Sequence, residues 1–287
     1  MHTSIAESLE KAALQAAALG ANTFQIFSAS PRMWRASAPS RSDVNLLRRA
    51  RERFDLQPLV IHVNYLVNLA SADPAIRSKS VAAFRGELER ADAIGAEYLV
   101  VHPGSYKGQS LEQGIAAFAE GLREATRGLA PKTMVLLENT VGAGSQIGAR
   151  LEELRAIRDL AARMTDLSVG YCLDTCHLLA AGFDVATGAG LRDTVRQAER
   201  NLGLAEVRVI HANDSKAALG SRLDRHENIG EGHIGKGGFR RILAHPRLRP
   251  KPFILETPVA REGDDRRNLR NLKKLCPKSR TTTTRSN

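Results

Sequence analysis

A chain of 287 residues, 43% of them apolar, can bury one large core and has the ordinary length of a single closed α/β barrel. No run approaches the roughly 18 uninterrupted apolar residues of a membrane span, and three cysteines are too few, and odd in number, for a disulfide framework, which points to a reducing, cytoplasmic setting. The formal charge of +11 sits at one end: residues 240–287 hold 14 lysines and arginines against four acidic residues, so a basic surface spread over the whole molecule is excluded. That basic end reads either as a solvated helix and tail or as an attraction for a polyanion such as DNA.

The N-terminal MHTSIAESLEKAALQ lacks a basic stretch followed by an apolar block, so no signal peptide is expected. Met1–Ser4 supplies at most the end of a first strand. Ile5, Leu9, Ala12, Ala16 and Leu19 recur at helical spacing, and Gly20 ends that helix. Thr23–Phe27 reads as a strand. Ser42 and Asp43 are candidate caps for a helix through Phe54. Pro58–Val63 is a strand, and residues 75–94 form a long helix closed by Gly95. The strand Tyr98–Val101, a helix over 110–128 and the strand Met134–Leu137 follow. A helix over 149–163 leads to the strand Val169–Leu173. A helix over 190–202 leads to Val207–Ile210, with a polar loop after it. A short helix near 239–244 precedes the strand Phe253–Leu255, and the last helix spans 264–275. Residues 277–287, PKSRTTTTRSN, read as a disordered basic, threonine-rich tail behind a single domain of residues 1–276.

Seven mostly apolar strands alternating with helices predict a parallel sheet. Counting the abbreviated strand at the start, the pattern predicts a TIM (β/α)8 barrel with a shortened first strand. A doubly wound open sheet is the runner-up, but no glycine-rich phosphate loop follows an early strand.

The C-terminal ends of these strands carry a repeated chemistry. They deliver His62 (VIHVNY), His102 (VVHPGS), Glu138 (LLENT), Asp174 with His177 (CLDTCH), His211 (VIHAND) and Glu256 (ILETP). The loop after His211 adds Asp224 and His226. In a parallel barrel these ends converge on one mouth. A lone histidine there is more often a hydrogen-bonded structural residue, and a lone carboxylate a helix cap. Four carboxylates and five imidazoles buried together without cations would cost many kcal/mol. His, Asp and Glu without a dominant Cys is a zinc or manganese set, and nine ligands exceed the needs of one ion. Cys172 lies within its strand as a core residue would, and Cys176, beside His177, is a lesser candidate ligand. Closely spaced metals suit in-line attack on a phosphodiester.

These residues also carry a resemblance. FQIF, PRMWRA, IHVNYLVNLA, VVHPGS, LLENT, CLDTCHLLAAGFDV, HANDSK, DRHENIGEGHIG and ILETP run in order through nearly the whole chain, which resembles the endonuclease IV family of zinc-dependent apurinic/apyrimidinic endonucleases. The resemblance implies a three-zinc TIM barrel, with Mn2+ an alternative at one position. It assigns His62, His102 and Glu138 to the first zinc. Glu138 bridges to the second, completed by Asp174, His211 and Glu256. His177, Asp224 and His226 hold the third. It further implies hydrolysis 5′ to abasic sites in double-stranded DNA by a monomer, leaving a 3′-hydroxyl and a 5′-deoxyribose phosphate, with Glu138 and Glu256 in catalytic positions. Arg32, Met33, Tyr65 and Leu66 match positions that the family uses to penetrate the duplex, whereas Trp34 reads as ordinary packing. One departure stands out: the family's Gly-Gly turn after the first strand reads Glu7-Ser8 here. The rival is a sugar isomerase or epimerase needing one ion at Glu138, Asp174, His211 and Glu256. A DNA-binding protein without catalysis is the third reading.

Overall fold

The computed structural model describes residues 1–30 and 32–277. The chain is a closed (β/α) barrel. Its strands are β1 (Phe24–Phe27), β2 (Leu59–His62), β3 (Tyr98–Val101), β4 (Met134–Glu138), β5 (Val169–Asp174) and β6 (Val207–His211), then the two arms of a short antiparallel hairpin, β7 (Asp214–Ser215) and β8 (His226–Glu227), and finally β9 (Phe253–Ile254). Without the hairpin, they form one parallel sheet in the order β1-β2-β3-β4-β5-β6-β9. The gap between β9 and β1 is filled by the first three residues. His2 N donates to Leu255 O at 2.9 Å, while Thr3 N donates to Gln25 O at 2.8 Å and Gln25 N to Met1 O at 2.9 Å. The shortened first strand expected from the sequence is therefore a three-residue closing segment, paired on both sides.

Helices α1 (Leu9–Leu19), α2 (Arg41–Phe54), α3 (Pro74–Ile94), α4 (Leu111–Thr126), α5 (Leu151–Met164), α6 (Thr175–Ala181), α7 (Gly188–Leu202), α8 (Gly235–Ala244) and α9 (Asp264–Leu275) cover the sheet. None among the described residues is long and apolar enough to cross a membrane. Ser8 caps α1, its hydroxyl accepting from Lys11 N at 3.0 Å, so the position that departs from the family turn does the work of a helix cap. Ser40 caps α2; Ser42 and Asp43, the expected caps, lie inside its first turn, where Asp43 N donates to Ser40 Oγ. The helix α6 and the hairpin fall where the sequence predicts only loop. Of the expected tail, Pro277 is described and residues 278–287 lie outside the described residues.

Strand alternation sorts the core into two clusters. Ile61, Val101, Leu137, Leu173, Ile210 and Leu255 face the helices. Val60, Val100, Leu136, Cys172, Val209 and Ile254 fill the barrel lumen as a separate cluster. Two residues further along each strand, on the lumen side, stand His62, His102, Glu138, Asp174, His211 and Glu256. The apolar layer is thus the floor on which the polar layer rests.

Candidate metal centre

Glu138 is fully buried and stands at the centre of that layer. Its Oε2 lies 3.1 Å from Nε2 of both His62 and His102, and its Oε1 lies 2.9 Å from Nδ1 of His211. The same His211 nitrogen is 3.2 Å from Glu256 Oε2. His177 arrives by another route. Asp174 ends β5 and caps α6, its Oδ1 accepting the amide of His177 at 2.8 Å, which turns the imidazole back over the mouth. Asp224 reaches His177 Nε2 at 3.3 Å with one oxygen and His226 Nε2 at 3.5 Å with the other. Among the described residues, five sets of candidate ligand atoms each lie within 4.8 Å of one another: His62, His102 and Glu138; Glu138, Asp174, His211 and Glu256; Asp174, His177 and His226; and, with a cysteine, Glu138, Cys172 and His211, and Cys176, Asp224 and His226. The structure thus brings all nine side chains singled out in the sequence to one end of the barrel.

The imidazoles are aimed. Nδ1–H of His62 donates to Val63 O at 2.7 Å, that of His177 to Asn139 O at 2.9 Å and that of His226 to Glu256 O at 3.0 Å. His211 is turned the other way, Nε2–H donating to Gln25 Oε1 at 2.9 Å. These bonds assign the tautomers and leave the remaining nitrogens facing carboxylates. His226 Nε2 is buried and has no hydrogen-bond partner among the described residues. Donor atoms around a tetrahedral zinc with bonds of about 2.0–2.1 Å lie about 3.3 Å apart, close to the separations found here. An orphaned inward nitrogen, an oxygen- and imidazole-rich donor set and this spacing fit divalent cations.

Electrostatics carries the same message. Burial raises the Glu138 carboxyl, but His211 and His102 overcome it and hold it well below its ordinary value. Glu256 is held down likewise, against burial, by His211 and His2. Burial lowers the His177 imidazole, yet Asp174, Asp224 and Glu138 raise it to about 10. Burial also opposes charge on His211, which Cys172, Glu138 and Glu256 nevertheless hold well above the usual range. The buried carboxylates thus favour positive charge beside them. Burial pushes the Cys172 and Cys176 thiols both up to about 12, and Cys176 Sγ donates to Arg225 O at 3.6 Å.

A profile of the family described as a xylose isomerase-like TIM barrel matches residues 13–275. A probable endonuclease 4 of Solibacter usitatus (strain Ellin6076) is 67% identical over 277 residues, covering 96% of each chain. The chain belongs to the endonuclease IV family. The crystal structure of endonuclease IV from Thermus thermophilus matches with a TM-score of 0.84 at 41% identity, covering 96% of this chain and 97% of that one. A D-tagatose 3-epimerase-like protein shares the fold, with a TM-score of 0.69 at 21% identity and 96% of each chain covered.

The segments that carry the endonuclease IV resemblance surround this mouth. Arg32 and Met33 are exposed beyond β1, and Trp34 packs partly against the core. Tyr65, 72% exposed, stands beyond β2 with its ring 5.4 Å from Phe27 and 6.1 Å from His62 (centroid to centroid), and Leu66 beside it is half-buried. A cavity of about 330 Å³ at the mouth is lined by His2, Tyr65, His102, Asp224, Glu256 and Thr257, among others. Two further asparagines and a glutamine belong to the site. Asn213 donates to Asp174 Oδ2 at 2.6 Å and accepts the Glu256 amide at 2.8 Å, and Asn139 accepts the Asp174 amide at 2.7 Å. Gln25 donates to Glu256 Oε1 at 2.5 Å and to His2 Nδ1 at 3.0 Å while accepting from His211. A signal for Gln25 existed: it is the polar residue of FQIF on the lumen side, paired in register with Val60.

Proposed function

We propose that this chain is a metal-dependent endonuclease that hydrolyses the phosphodiester 5′ to abasic sites in duplex DNA, leaving a 3′-hydroxyl and a 5′-deoxyribose phosphate. One observation carries this reading over a one-metal isomerase. Glu138, Asp174, His211 and Glu256 would suffice for one ion, yet His62, His102, His177, Asp224 and His226 are contiguous with them. In our assignment, His62, His102 and Glu138 hold one zinc, Glu138, Asp174, His211 and Glu256 a second, and His177, Asp224 and His226 a third, with Mn2+ acceptable at one position. When bound, such cations supply Lewis-acid stabilisation of the charge that develops on the phosphate and on the departing 3′ oxygen.

The chain's own residues do the rest. Glu138 faces both sides with different oxygens and so sets the spacing of the first two groups. Glu256 lines the cavity and orients the attacking water, its carboxylate anchored by Gln25 and kept ionised by His211. Tyr65, Leu66, Met33 and Arg32 face the duplex, the apolar groups entering the stack and the cation meeting phosphate. The protein acts as a cytoplasmic monomer in this reading.

The test is a nicking assay on a duplex with one abasic analogue, with elemental analysis of the same sample. About three zinc ions per chain and chelator-sensitive nicking are expected. A single ion with no nicking, together with interconversion of ketoses, would favour the isomerase.

A further inference from the structure

A buried ion pair in α3 has no part in the chemistry above. Glu87 and Arg90 approach at 3.2 Å with side chains only 2% and 9% exposed. Replacing such a pair with apolar residues is often neutral for stability, so the pair is better explained by what its hydrogen bonds direct than by stability. Its contacts supply one. Glu87 Oε2 also accepts the Ser28 hydroxyl, and Oε1 accepts Asn64 Nδ2 at 3.1 Å. Arg90 Nε donates to Ser28 Oγ at 2.8 Å, and its guanidinium lies 3.5 Å from Ala36 O. Asn64 Oδ1 in turn accepts the Leu66 amide at 3.0 Å, and Asn64 Nδ2 lies 3.5 Å from Met33 O. Among the described residues, the side-chain hydrogen bonds of the pair go to the segment after β1 and the segment after β2.

We propose that the Glu87–Arg90 pair is a positioning device for substrate recognition: it fixes the segments bearing Met33 and Tyr65 in their DNA-ready arrangement before DNA arrives. This rests on the reading of those residues as duplex contacts. Tyr65 is 72% exposed, and its ring contacts Phe27 and His62. Its backbone is placed by Asn64 before it, bonded to the buried Glu87 carboxylate, and by Leu66 after it, whose amide is bonded to Asn64. Ordering a loop at the moment of binding weakens affinity, and a prepaid arrangement avoids that loss. Apolar packing at residues 87 and 90 would fill the volume without directing two backbones.

The test measures the Kd for an abasic-analogue duplex, with kcat and metal content alongside. Glu87→Gln cannot satisfy Arg90, Ser28 and Asn64 at once, and Asn64→Ala cuts the link to the Tyr65 segment while leaving the ion pair intact, so one variant survives if the other misfolds. Each is expected to raise Kd about tenfold, with metal content unchanged and kcat at saturating DNA within about twofold. In a Tyr65→Ala background, Asn64→Ala should raise Kd by clearly less than it does alone, because part of its effect passes through that ring. Strictly additive effects, or a silent Asn64→Ala beside a damaging Tyr65→Ala, overturn the positioning role alone. A silent Tyr65→Ala overturns the duplex-contact reading and this proposal with it.

Discussion

Glu256 has two kinds of neighbour, and substitution separates them. Glu256→Gln keeps the volume and the amide bond to Asn213 but removes the charge that faces His211. Nicking of an abasic duplex should fall by at least about 100-fold, while binding measured by fluorescence anisotropy stays within about twofold. Unimpaired cleavage would sink the role given to Glu256. Gln25→Met is an apolar near-isostere that removes the acceptor holding His211 Nε2–H and the donor to Glu256. The affinity of the second ligand group for zinc should drop about 10–100-fold in chelator competition, with the first and third groups little changed. Equal affinity in the variant would show that His211 needs no such hold. These residues also mark where sequence stops being informative. His62, His102, Glu138, Asp174, His211 and Glu256 were legible because each terminates an apolar β-run, a position with one geometrical meaning in a parallel barrel. Gln25 and Asn213 were not read as site residues, because their contribution lies in which amide atom meets which ring nitrogen or carboxylate, and that depends on the stagger between strands.

The element that shows this best is the stretch from β7 to the start of α8. Asp214 is wholly buried and accepts backbone amides from Ser215, Gly230, Gly232, Ile234 and Gly235 at 2.9–3.3 Å. One carboxylate therefore folds the loop behind β8 against β7 and holds the hairpin that presents His226. Gly232 is required by this fold: a Cβ there would lie 2.4 Å from the backbone oxygen of Ser215, a contact that no side-chain rotation relieves, and 2.6 Å from Asp214 Oδ1, which could move only by giving up its amide bonds. Gly232→Ala should cost about 1–3 kcal/mol, a fall in Tm of about 2–4 °C for each kcal/mol in a chain of this size. It should also lower the zinc content by about one ion per chain, the ion of the His177, Asp224 and His226 group. A normal zinc content would mean that the hairpin is placed by something other than Asp214. Long helices and four- to six-residue strands were readable from periodicity, but β7 and β8 are two residues each and have no period to read. Helix α6, seven residues capped by a metal-site carboxylate, was hidden by the ligand motif itself.

On the scale of the whole barrel, the site lies across the seam where the sheet closes. Removing metal should therefore loosen the fold as well as stop any reaction. Cations held at a thousand times their Kd contribute about 4 kcal/mol per site, so a chelator should lower Tm by about 10 °C or more, reversibly on adding zinc. An unchanged Tm would mean that the nine side chains are stable without cations. Part of the C-terminal basic charge also serves closure: Lys273 donates to Gly20 O and Arg266 lies 3.5 Å from Ala18 O, so α9 fastens onto the carbonyl end of α1. The charge distribution was plain in the sequence, but this share of its use was not, since it needs the two ends of the chain side by side. The three-residue segment between β1 and β9 has one more consequence. His2 and Gln25 precede β2, whereas Glu256 follows β9, and the contacts of Glu256 with both exist only once β9 has docked. Until β9 docks, the site lacks Glu256 and the hold of Gln25 on it, so an unclosed barrel holds no finished nuclease. A protein truncated at residue 250 is expected to cut no abasic duplex, even if it stays soluble and retains zinc at His62, His102 and Glu138.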